Sequence, residues 1–165
     1  MAMTVPAIGN LAAANNIARA GQQLNDSLAL ARQMASTRGQ SVRVALYRPD
    51  NSNYSAMQVL GGNSFSNALT RPITFPENFA IVPNLSPLLD KLPQTNSGTL
   101  RLGGKQNVDY KYLTIRASGR VEPALTPGID NYLTVARLAG TKFFTNNYTA
   151  VAIDPLNGRT TTYRP

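Results

Sequence analysis

The chain contains no cysteine and no histidine, and only eight of its 165 residues are acidic. Without cysteine there is no disulfide framework, thiolate nucleophile or zinc–thiolate site. Without histidine the usual general base and the commonest metal ligand are missing. The acids are Asp26, Asp50, Glu77, Asp90, Asp109, Glu122, Asp130 and Asp154. Only Glu122 and Asp130 lie within about ten residues of each other, so a carboxylate dyad or metal cluster would have to be assembled from distant segments. No catalytic constellation emerges, and no cofactor or metal is called for. Nor is there a run of about 18 apolar residues that would read as a membrane span, or a complete secretory signal.

What the chain does have is a formal charge of +8 and one long periodic stretch. The basic residues are spread out with no run of three, which reads as a solvated basic surface rather than a dedicated nucleic-acid site. Asn10–Arg38 is the periodic stretch. Wound at about 100° per residue, it brings Ala13, Ile17, Ala20, Leu24, Leu28, Ala31 and Ala35 onto one stripe. Asn15, Gln22, Asp26 and Gln33 fall on the opposite side, as expected of a helix with one buried face. Leu11, Ala12 and Ala14 make its start small or apolar nearly all round, and with Ala18 they are candidate assembly contacts. So long a helix is expected to project beyond a small sheet. Val5-Pro6-Ala7-Ile8-Gly9 reads like the tail of a hydrophobic segment that continues upstream.

Gly39 suits the left-handed position that ends a helix. Beyond it the chain reads as about seven short strands. Ser41–Tyr47 and Tyr54–Leu60 form a hairpin across a polar turn, and Gly61–Asn67 is a loop. Pro72–Pro83 gives two short extended pieces that its prolines confine to sheet edges. Asn84–Lys105 is the least regular region, with a helical turn at Ser86–Leu92 followed by a loop expected to be mobile. Tyr110–Arg116 sets Tyr110, Tyr112, Thr114 and Arg116 on one face, with Lys111, Leu113 and Ile115 on the other. Asn131–Arg137 places Leu133 with Val135, and Tyr148–Asp154 and Arg159–Arg164 flank Asn157-Gly158, a hairpin signal. The plan is α+β, one domain over 1–165, with the helix at 10–38 packed on antiparallel sheet in a β-rich body at 41–165.

Few motifs suggest chemistry. Gly61-Gly62 and Gly103-Gly104-Lys105 lack the spacing of a phosphate-binding loop and read as loop tips. Lys142 beside Phe143 and Phe144 could form a stacking platform for bases; rings turned into the core or an edge contact are the preferred reading. Arg159 and Arg164 bracket the last strand and could both touch an anion, although charges that protect a terminal strand are the blander reading.

Several of these segments resemble a known family in their order along the chain. Thr4-Val5-Pro6-Ala7-Ile8 resembles the place where the membrane-embedded half of a type IV pilin-like helix gives way to its soluble half. Leu28–Gly39, with Ala31-Arg32, Ala35 and Arg38, followed by the strand Val42–Tyr47, resembles the helix-to-strand junction of GspH/FimT-type minor pseudopilins. Ile115-Arg116-Ala117-Ser118-Gly119-Arg120 and Asp154-Pro155-Leu156-Asn157-Gly158-Arg159 resemble that family's later turns. The ending Tyr163-Arg164-Pro165 resembles the pilin-like proteins called Verru_Chthon cassette protein D. The processing site and the N-terminal half-helix of such proteins are not in this chain.

The resemblance implies a non-enzymatic structural subunit of a bacterial type II secretion or type IV pilus-like fibre. Such a subunit would be pilin-like in fold and would meet other pilin-like subunits through its N-terminal helix. It would be held on the periplasmic side of the inner membrane by the missing segment. The alternative is a DNA- or polyanion-binding pilus-tip or uptake module. Members that bind DNA carry a Gly-Arg-x-Arg pattern near the C-terminus, whereas Gly158-Arg159-Thr160-Thr161 lacks the second arginine.

Overall fold

A computed structural model describes residues 6–49, 53–62, 64–98, 108–128 and 130–164, apart from the side chains of 6–13, 96–98 and 145. Helix α1 runs from Pro6 to Arg38 among the described residues, four residues further upstream than the periodic stretch. It ends where expected: Gly39 takes φ +63°, and the Gly39 and Gln40 amides donate to the Ser36 and Ala35 carbonyls. Among the described residues no helix is long and apolar enough to cross a membrane.

Eleven strands follow among the described residues, more than the expected seven, and they divide into two antiparallel sheets. The first sheet is built from β1 (Val42–Tyr47), β2 (Ala56–Gly61), β3 (Asn67–Ala68), β4 (Ile73–Thr74), β6 (Gln94–Gly98), β7 (Val108–Ile115) and β8 (Val121–Glu122). Its order is β3-β2-β1-β7-β6, with β4 also on β2 and β8 also on β7. The second sheet has the order β11-β10-β9-β5, from β5 (Phe79–Ile81), β9 (Tyr132–Ala139), β10 (Lys142–Ile153) and β11 (Thr160–Tyr163). The expected Tyr54–Leu60 strand begins only at Ala56, because Tyr54 instead makes an antiparallel bridge to Ile81 that ties the two sheets together. The proline-flanked pieces β4 and β5 do take edge positions.

The irregular reading of Asn84–Lys105 needs correcting. A short helix α2 (Pro87–Lys91) lies where a helical turn was expected, but Gln94–Gly98 is a strand, fixed by its ladder to β7 rather than by side-chain propensity. The remainder, 99–105, lies outside the described residues, as does the turn at 50–52.

The apolar stripe of α1 packs against both sheets. Ile17, Ala20, Leu24, Leu28, Ala31 and Ala35 join one core with Val44 and Leu46, Met57, Leu113 and Ile115, Leu133 and Val135, and Val151 and Ile153. Tyr110 and Leu113 face opposite ways on β7, as alternation requires, and a second cluster covers the far side of the first sheet. There Ala45, Tyr47, Ala56, Leu60, Val108 and Tyr110 are buried, and the Tyr47 and Tyr110 rings lie 5.1 Å apart. Because β1 is buried on both faces, Ser41–Tyr47 alternates only partially.

Burial, with the neighbouring Tyr110, pushes the Tyr47 phenol up to about 12. Its neutral form is therefore favoured by folding. The associated stability is fully present below the ordinary tyrosine value near 10 and is lost as pH rises through about 12. We expect a phenolate absorbance titration to show late tyrosine ionisation in this alkaline range whose amplitude Tyr47→Phe reduces. An unchanged titration would contradict it.

Candidate functional site: the helix flank and its exposed face

One flank of α1 is held by the C-terminal hairpin. Gly21 permits the closest approach: a Cβ there would lie 2.4 Å from the Thr149 methyl on β10. Above and below that point the contacts are polar. The Thr160 hydroxyl donates to Asn25 Oδ1 at 2.7 Å, and Arg32 Nε donates to the Asn157 carbonyl at 2.7 Å. Arg164 donates to the Ala14 carbonyl and to the Thr149 hydroxyl, both at 3.4 Å. The helix is thus clamped from its third described turn, at Ala14, to Arg32, which holds its remaining surface in a fixed orientation.

That remaining surface is polar or small. Ala14, Asn15, Asn16, Arg19, Gln22, Asp26, Ala29 and Gln33 are exposed, Ala18 is half-buried, and Leu30 is 37% exposed. Of the candidate assembly contacts, exposed Ala14 and half-buried Ala18 lie at the edge of this surface, in line with the clamped residues Gly21, Asn25 and Arg32. Leu11 and Ala12, with Ala13 of the stripe, lie on α1, but their side chains fall outside the described residues. Small residues at 14, 18 and 21 let backbones approach closely, as Gly21 already does with Thr149.

The three candidate anion contacts are not brought together. Arg159 and Arg164 sit at opposite ends of β11, about 16 Å apart at 3.3 Å per residue, so one small anion cannot touch both. Lys142 is exposed at the far end of β10. Of the two rings expected in the core or in an edge contact, Phe143 is half-buried and Phe144 is 51% exposed, with the Arg137 guanidinium of the neighbouring strand 5.8 Å from its ring centre. The cause is an irregularity in the ladder. Phe143 pairs with Leu138 and Tyr148 with Ala136, so residues 144–147 bulge out. No group of three potential metal-ligating side chains occurs among the described residues.

Sequence reasoning missed the clamp, whose partners lie 125 and 135 residues apart in the chain. It also missed Arg43, held between the rings of Phe65 at 4.2 Å and Tyr112 at 3.7 Å on the outer face of the first sheet. The tyrosines at 110 and 112 on one face of β7 were the available signal.

No family model matches the chain, and no curated protein matches it by sequence. Solved structures do. The type IV minor pilin FimU of Pseudomonas aeruginosa superposes with a TM-score of 0.54 at 16% identity, covering 92% of this chain and 93% of FimU. The minor pseudopilin EpsH from the type 2 secretion system of Vibrio cholerae gives 0.53 at 15% identity, covering 91% of this chain and 98% of EpsH. The chain has the minor pilin fold. A second EpsH crystal structure gives 0.50 at 14% identity, again over nearly the whole of both chains. In this pilin-fold protein, as the resemblance implied, a long N-terminal helix lies against antiparallel sheets.

Proposed function

We propose that this protein is a non-enzymatic structural subunit, a minor component of a bacterial type II secretion or type IV pilus-like fibre. The observation that carries the proposal is the helix itself. α1 is clamped along the flank of Ala14, Gly21, Asn25 and Arg32, while its polar face at Asn15, Arg19, Gln22 and Asp26 stays open, within a fold shared with FimU and EpsH. In a fibre this open face would meet the helices of neighbouring subunits. Before assembly, a hydrophobic segment upstream would hold the protein on the periplasmic side of the inner membrane. The alternative, a module that grips DNA through its basic surface, is less well supported because Arg159, Arg164 and Lys142 do not converge.

The absence of cysteine makes a direct test simple. With Ala14→Cys or Gln22→Cys expressed in the native cell, oxidation should give disulfide-linked species containing a second pilin-like subunit with its own engineered helix cysteine. A cysteine at the exposed Asn84 should remain unlinked. If the helix variants stay monomeric in cells that assemble the fibre, the proposal is wrong.

A further inference from the structure

The bulged hairpin formed by β9 and β10 points toward the start of α1. Two contacts set the direction: the Thr160 hydroxyl, opposite Ile153, lies at the level of Asn25, whereas Thr149 lies at the level of Gly21. Following β10 back from Thr149 therefore leads toward the N-terminal end of the helix. On the paired strand, Val135 to Ala139 spans about 13 Å. The hairpin tip therefore lies beyond the level of Gly21, toward the N-terminal end of α1.

The tip has an unusual surface for a soluble edge. Arg137 and Lys142 are exposed, and Phe144 lies in the bulge between them in the chain pairing, half open to solvent with the Arg137 guanidinium near its ring. The one acid nearby among the described residues is Glu77, in the turn before β5, whose Phe79 pairs with Arg137. An exposed aromatic ring flanked by cations is the pattern of a membrane-interface contact: the ring enters the headgroup region and the cations meet lipid phosphates. From this we infer that the β9–β10 hairpin is a foot that rests on anionic phospholipid headgroups beside the emerging helix. The inference depends on the anchored-subunit reading for its orientation, since an upstream membrane segment would bring this end of α1 to the bilayer surface. Contact through the foot would fix the rotation of the helix, and with it the direction of the face at Asn15, Arg19 and Gln22, before assembly.

The chain has no tryptophan, so Phe144→Trp supplies a single fluorescent reporter at a site where a ring is already exposed. Its emission should shift to the blue on vesicles rich in phosphatidylglycerol and stay unchanged on phosphatidylcholine vesicles. Co-sedimentation of the unaltered chain with the same vesicles gives a second reading that does not depend on the substitution. Lys142→Ala and Arg137→Ala should each weaken binding about fivefold. The foot is overturned if phosphatidylglycerol gives no shift and no co-sedimentation, or if binding is indifferent to both alanine variants. It is also overturned if a single-stranded oligonucleotide, without lipid, produces the shift instead, in which case the hairpin is a base-stacking platform. Failure here with the Ala14 disulfide still forming removes only the foot; failure of the disulfide removes the fibre subunit itself.

Discussion

Leu28→Ala is expected to destabilise the protein by about 2–5 kcal/mol. Leu28 is fully buried at the centre of the α1 stripe, within the core that both sheets share, and Leu24 is equally buried one turn earlier. Removing its branched end takes apolar surface out of contact with side chains that come from α1 and from strands of two different sheets. Those strands are fixed by their own ladders and cannot collapse into the space, which places the loss well inside that range rather than at its lower edge. At about 3 kcal/mol, a domain of this size should melt some 6–12 °C lower. The control is Leu30→Ala on the open side of the same helix, where the side chain is 37% exposed and the cost should stay under about 1 kcal/mol. Thermal or urea melts of the two variants decide the matter. Equal losses would mean that the stripe is not the surface that holds the helix to the sheets.

The helix was legible because its signal is local and repeated. A stripe recurring over about six turns identifies the buried face whatever lies opposite, and Gly39 marks its end within the same window. The last hairpin was legible for a similar reason, as Asn157-Gly158 sits between two strands and Gly158 takes φ +67°. The division into two sheets was not. It depends on β1 pairing with β7 and on the bridge from Tyr54 to Ile81, and no residue pattern near either partner announces that choice. Gln94–Gly98 carries no strand preference and owes its conformation to β7 alone. Of the candidate site, the open helix face followed from periodicity. The clamp joins Asn25 to Thr160 and Arg32 to Asn157, contacts that exist only once the sheets have formed. The exposure of Phe144 was not legible, because a hydrophobic residue within a strand is ordinarily half-buried, whereas the bulge at 144–147 turns this one outward.

Gly119→Ala should also be strongly destabilising, by about 2–4 kcal/mol, for a reason that involves backbone rather than core. Gly119 takes φ +87° in the turn that joins β7 to β8, where the Gly119 amide donates to the Arg116 carbonyl at 2.8 Å. A Cβ at this position would lie 2.8 Å from the Asn157 carbonyl oxygen. The obstacle is main chain, so no rotamer change relieves it. The opposing loop is itself closed by the Gly158 amide on the Asp154 carbonyl and the Asp154 amide on the Arg159 carbonyl, each at 2.8 Å. To admit a methyl group the two turns must separate. The Asn157 carbonyl is also the acceptor for Arg32, so their separation pulls away the acceptor that clamps the C-terminal half of α1. Two effects therefore add: about 1–2 kcal/mol of left-handed strain and the loss of a charge-assisted hydrogen bond with its packing. Gly140→Ala isolates the first, because φ there is +62° and nothing lies within 4 Å of the added carbon. The expected result is a clearly larger loss at 119 than at 140 in urea melts, together with faster amide exchange around Arg32 in the Gly119 variant alone. Matching losses with unchanged exchange would show that the two turns can part without loosening the helix, and the clamp would then not be what orients its open face.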